Sequence, residues 1–180
     1  MTTLDTGTED LRAEIDDGVA VITMNRPNRR NAFSPAIVSA LGTVLARVET
    51  DGAVGCVVLT GDYGGTWFLT QLVGSSKAKE LYYFSERLSA GDAERLGIVN
   101  AVCPAADFDR EVMARARRLA QGPSNAYRYM KENLNRAVTG ELADCMDMEV
   151  THHVHTGLTE DLREAAQAFM DKREPRFHGR

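Results

Sequence analysis

The chain has 180 residues, 43% hydrophobic and 26% charged, with a formal net charge of −5. That length suffices for one sizeable core, the composition is that of an ordinary globular domain, and the acidic balance offers no global positive field for nucleic acid. Cys56, Cys103 and Cys145 are far apart and odd in number, so nothing suggests a disulfide framework or zinc knuckle. No apolar stretch has the length of a membrane span, and the polar, acidic stretch 1–10 is unlike a signal peptide. A reduced, cytoplasmic setting without membrane or nucleic-acid partners is therefore expected.

Leu11 to Ile15, then Asp16-Asp17-Gly18, then Val19 to Met24 predicts a β-hairpin, because Asp-Gly between two β-prone runs is a strong hairpin signal. Asn25-Arg26-Pro27 ends the second strand, since Pro27 has no N–H to give a ladder, and a polar, basic loop follows over 28–33. Ser34 is placed to cap a helix that Pro35 opens, with Ile37, Leu41, Val44, Leu45 and Val48 on one face. Asp51-Gly52 ends it. The continuous apolar run from Val54 to Leu59 predicts a strand buried on both faces, with Cys56 in the core. Strand, crossover helix and strand together make a βαβ-like opening.

Beyond residue 65 the predicted elements are short helices over 66–73, 76–84 and 90–96, with a short strand over 98–102. Four longer helices follow. Phe108, Val112, Ala116 and Leu119 mark the first, ended by Gly122-Pro123. Ser124 is expected to cap the second, with Tyr127, Met130, Leu134 and Val138 inward, and Leu142, Met146, Val150 and His153 mark the third. Thr159 caps the fourth, with Glu160 and Asp161 at its positive end and Lys172 and Arg173 at its negative end. Sheet-forming segments thus cluster early and helices late, so the sheet is narrow and its edges are open.

Several segments, in order, resemble the crotonase superfamily, the enoyl-CoA hydratase/isomerase family. Val21 to Pro27 followed by Arg30-Asn31-Ala32-Phe33 is similar to its first strand and the loop that meets the coenzyme A nucleotide. Cys56 to Gly61 resembles the strand before its first oxyanion-hole motif. Asp62-Tyr63-Gly64-Gly65-Thr66, with Leu72-Val73-Gly74 and Ala78, resembles the helix beyond its active site. Arg87 to Ala90 and Gly97 to Asn100 match the next segment. Glu160-Asp161, Glu164, Ala168-Phe169, Lys172-Arg173, Pro175 and Phe177 resemble its closing helix. The implied fold is α/β, a truncated crotonase-like (ClpP/crotonase) fold. It comprises a core over 1–104, opening with a small βαβ sheet, and a helical region over 105–180 that serves trimerisation.

The chain departs from the family at one place. Val57-Val58-Leu59-Thr60-Gly61 runs straight into Asp62-Tyr63-Gly64-Gly65-Thr66, so an internal deletion falls at about 61–63. The family builds its oxyanion hole from two backbone N–H groups flanking this block and carries the hydratase glutamates within it. Neither motif nor the glutamates are present here, and one lost donor costs about 3–4 kcal/mol of barrier. The resemblance implies an enoyl-CoA hydratase/isomerase-like protein acting on acyl-CoA thioesters by enolate stabilisation. Coenzyme A is then part of the substrate, no separate cofactor is needed, and the assembly is a trimer or a dimer of trimers. The alternative is a catalytically inactive remnant that binds coenzyme A or only oligomerises.

Individual residues carry two readings each. Asp62 is either a nucleophile or base, as in some family members, or a helix cap. Gly64 and Gly65 either offer oxyanion N–H groups or form a turn. Arg29, Arg30 and Ala32 are candidates for the coenzyme A nucleotide, as are Lys172 and Phe177, which resemble tail positions reaching a neighbouring subunit. Their ordinary reading is a solvated loop and helix-end packing. Trp67 and Phe68 read as core or subunit contact. His152 and His155 share a helical face that His153 does not, and surface or interface histidines are expected in preference to a metal site.

Overall fold

The computed structural model describes residues 1–29, 31–60 and 66–180. The hairpin is formed by β2 (Leu11–Asp16) and β3 (Val19–Met24), antiparallel with Asp16 opposite Val19. Its two-residue loop has both φ angles positive, 48° at Asp17 and 75° at Gly18, the mirror-image turn whose twist matches the strands. A further strand, β1 (Thr2–Leu4), pairs with β2 at the hairpin's outer edge.

Helix α1 (Pro35–Glu49) begins as its sequence predicts. The Ser34 side chain accepts the Ile37 N–H at 3.2 Å. Ser34→Ala should lower stability by about 1 kcal/mol, read as a shift in the urea midpoint without a change in slope. The helix crosses back to β4 (Cys56–Thr60), which lies parallel to β3, giving the order β1-β2-β3-β4.

The rest is helical: α2 (Thr66–Phe84), α3 (Ala90–Arg95), α4 (Phe108–Ala120), α5 (Ser124–Ala137), α6 (Leu142–Gly157) and α7 (Glu160–Asp171). Gly74, at φ 76° and ψ 160°, breaks α2 into the two pieces its sequence predicts. The expected strand over 98–102 is irregular, having no neighbouring strand to pair with among the described residues.

Two layers cover the sheet. Ala20, Ile22 and Met24 of β3 face Ala40, Val44 and Val48 of α1 in one core. On the other side Val21 and Thr23, with Val58 and Thr60 of β4, face Val112 and Met113 of α4 across a cavity of about 540 Å³. Arg117 ties α4 to the hairpin, its Nη2 lying 3.0 Å from Asp16 Oδ2. At Gly55 a Cβ would lie 2.7 Å from the Ala120 carbonyl oxygen, so only glycine lets β4 start against the end of α4.

Two expectations about burial are corrected. β4 is covered on one face only, with Val57 and Leu59 41% and 47% exposed, and Cys56 is half-buried. Met130, Leu134 and Val138, expected inward on α5, are exposed, as are Leu142, Met146 and Val150 of α6. Trp67 and Phe68 lie edge to face on the surface, outside this chain's core, which leaves their reading as a subunit contact. Ser124, expected as a cap, is the first residue of α5 and makes no side-chain cap bond.

The accessible surface is 13255 Å² for 19.8 kDa, against about 8,600 Å² for a folded monomer of that mass. The excess of about 4,600 Å² means that one chain alone leaves much apolar surface uncovered.

Candidate functional site

The loop after β3 is a 3₁₀ turn, Pro27–Arg29, closed by its own hydrogen bonds. Asn31, at φ 56°, accepts the Arg26 N–H on its Oδ1 at 2.9 Å. The Arg26 guanidinium donates to the Ala32 carbonyl at 2.8 Å and pairs with Asp10 at 3.1 Å. Arg26 therefore pins the loop, a role the sequence reading did not assign. Arg29 stays exposed and makes no ion pair among the described residues. The Ala32 N–H is donated to the Arg29 carbonyl, so the loop presents a charge on a fixed backbone. Arg30, Asp62, Gly64 and Gly65, all candidates from the sequence, lie outside the described residues.

The second cluster is the end of α7 and the tail after it. Thr159 caps the helix, its Oγ1 accepting the Leu162 N–H at 3.2 Å. Lys172 ends it in the left-handed conformation, φ 54°, and is exposed, while Phe177 is half-buried. The tail then returns to the start of the helix. Asp161, 4% exposed, accepts the N–H groups of His178 and Gly179 at 2.7 and 2.9 Å. Its own N–H is donated to the Arg180 carbonyl. Asn125 of α5 donates to the Gly179 carbonyl at 2.8 Å.

Glu164 completes this clasp, meeting Arg173 at 2.6 and 2.9 Å and accepting the Arg176 N–H at 2.8 Å. The Arg173 guanidinium first, and then the Arg176 N–H, hold the Glu164 carboxyl at about 2, down from 4.5. A carboxylate lowered in the folded state stabilises above its unfolded value and loses that contribution as pH falls through the folded one. The tail clasp should therefore hold at pH 5 and loosen between about pH 4.5 and 2. An NMR titration of the Arg176 amide checks this. Glu164→Gln should abolish the transition, and a wild-type transition centred near pH 4.5 would refute it.

The structure thus joins Arg29 to Ala32 by a backbone hydrogen bond, whereas Lys172 ends α7 and Phe177 lies on the tail that returns to the helix start, with no hydrogen bond between them. No hydrogen bond or ion pair joins Arg29 or Ala32 to Lys172 or Phe177 among the described residues. His152 and His155 share a face, as their spacing predicts, and that face meets Tyr129 of α5. Tyr129 stacks on His152 at 4.5 Å and lies 5.8 Å from His155, and His152 Nε2 is 3.3 Å from Glu132. The described residues hold no group of three or more metal-ligating side chains, and no described helix is long and apolar enough to cross a membrane.

A parallel β-α-β unit on a hairpin, followed by a helical half, is the α/β class this geometry defines. The chain belongs to the enoyl-CoA hydratase/isomerase family, whose model matches it in two stretches, residues 14–64 and 62–180. These stretches meet where the sequence places the deletion. A probable enoyl-CoA hydratase of Rhodobacter capsulatus is 36% identical over 119 residues, 66% of this chain and 46% of that protein. The chain thus spans about half the length of that curated relative. The 1,2-epoxyphenylacetyl-CoA isomerase of Escherichia coli is 22% identical, covering 96% of this chain and 99% of that protein. That alignment runs over 260 positions against 180 residues here, so at least 80 positions face no residue of this chain. The fold matches the crystal structure of an enoyl-CoA hydratase from Bacillus anthracis with a TM-score of 0.87 at 20% identity, covering 96% of this chain and 100% of that one. A second, from Geobacillus kaustophilus, gives 0.88 at 17% identity, covering 99% and 100%.

Proposed function

We propose that the chain acts on acyl-CoA thioesters as an enoyl-CoA hydratase/isomerase-like protein, by stabilising the thioester enolate. The observation that carries this reading is the pair of family matches, which together reach from residue 14 to residue 180. In it, Arg29, Arg30 and Ala32 meet the coenzyme A nucleotide, because a guanidinium matches phosphate geometry. Lys172 and Phe177 add a second patch from the tail of a neighbouring copy, in a trimer or pair of trimers assembled through 105–180. Asp62 serves as base, and the Gly64 and Gly65 N–H groups serve as oxyanion donors. Coenzyme A is part of the substrate and no further cofactor is required. A cytoplasmic place in fatty-acid metabolism, as a lyase or isomerase, goes with this reading.

One observation favours a second reading, an inactive remnant that binds coenzyme A or assembles with partners. At least 80 positions of one alignment face no residue of this chain, the two family matches meet at residues 62–64, and the described sheet stops at four strands. Hydration of crotonyl-CoA, assayed on a sample whose intact mass is 19.8 kDa, separates the two. Turnover abolished by Asp62→Asn supports the first reading. Saturable coenzyme A binding without turnover supports the second.

A further inference from the structure

We propose that the open edge of β4 pairs with β4 of a second copy of this chain, antiparallel and centred on Val58, so that two sheets join across a twofold axis. β4 is an end strand of the sheet, and β3 is its one neighbour among the described residues. Its five residues, Cys56–Thr60, include no charge and no proline, the usual devices that keep an edge from pairing.

The side chains fit that partner. In register with β3, Val57 stands beside Ala20 and Leu59 beside Ile22, so both lie on the face that α1 covers over β3. There they remain 41% and 47% exposed, with Leu45 of α1 39% exposed alongside. Leu45 and Val57 line one groove of about 480 Å³. Antiparallel pairing about Val58 sets Val57 of one copy opposite Leu59 of the other, twice over, on one face. Cys56 falls opposite Thr60 on the other face. The strand is therefore complementary to itself, as an isologous contact requires. An uncharged seam also avoids like-charge opposition between two chains of net charge −5.

The contact is independent of acyl-CoA binding, so its test reads mass and not activity.

The experiment is light scattering on the size-separated full chain at several concentrations. The wild type should run at an even multiple of 19.8 kDa: twice that mass through β4 alone, or six times it where trimers assembled through 105–180 are joined in pairs by β4. Leu59→Lys and Val57→Glu alter positions exposed in the single chain, so each should keep the wild-type far-UV circular dichroism while weakening the dimer about a hundredfold or more and removing the concentration dependence of the thermal midpoint. Mixed together, they should recover a heterodimer, because the register sets residue 57 against residue 59. Concentration-dependent protection of the β4 amides from hydrogen exchange, read on the wild type alone, should accompany the dimer. A monomer at every concentration, or an assembly that neither substitution weakens, overturns the proposal.

Discussion

Ile22→Ala should cost about 3–4 kcal/mol and lower the thermal midpoint by roughly 8–12 °C. Ile22 is 0% exposed at the centre of β3, between Ala13 on β2 and Leu59 on β4. Its side chain is among the largest fully buried ones in a core that otherwise holds several alanines. Truncation there leaves a cavity that α1 and the sheet, joined by a crossover, can close only in part. A domain stability of about 5–15 kcal/mol makes this a large fraction of the total. Val57→Ala, on a face that α1 leaves uncovered within one chain, should cost the fold of that chain under about 1 kcal/mol. Urea denaturation of both variants checks the contrast. Equal losses would mean that the face under α1 is not what holds the sheet.

Asp161→Ala should release the tail. The carboxylate accepts two backbone N–H groups and sits in the first turn of α7, where negative charge is favoured. Hydrogen bonds to a charged group are each worth about 1.5–3 kcal/mol, and part of that returns when water solvates the freed amides. The expected loss is about 2–4 kcal/mol of tail docking, seen as a rise in His178 and Gly179 amide exchange of about thirtyfold to several hundredfold. Glu160→Ala removes only the exposed pair with Arg180 at 3.1 Å and should change the same amides little. If Glu160→Ala frees them as much as Asp161→Ala does, charge at the helix start and not the buried carboxylate is the anchor.

The hairpin and the βα crossover were legible because their signals are local. Asp17-Gly18 specifies its own turn, and Ser34-Pro35 specifies its own helix start. β1 was not legible, since three residues become a strand only by pairing with 13–15. The run 98–102 failed in the opposite sense, being β-prone without a strand beside it. Periodicity in α5 and α6 identified which face is apolar, but it cannot say what covers that face, and within this chain the stripes stay exposed. The same limit applies to β4, where a continuous apolar run predicts burial on both sides and one face stays open.

The candidate site residues Arg29, Lys172 and Phe177 come from the resemblance, and the structure adds how the loop and the tail that carry them are held. Arg26 locks the loop through Asn31, Ala32 and Asp10. Asp161 and Glu164 lock the tail largely through backbone N–H groups, which leave no trace in the identities of the residues that carry them.

Calorimetric titration of coenzyme A into the wild-type chain and Arg29→Ala tests the central claim, that this chain is an acyl-CoA-recognising member of its family. A saturable site in the wild type, weakened about tenfold by loss of one phosphate contact, is the predicted result. No binding at millimolar coenzyme A, or an affinity that Arg29→Ala leaves unchanged, would contradict it.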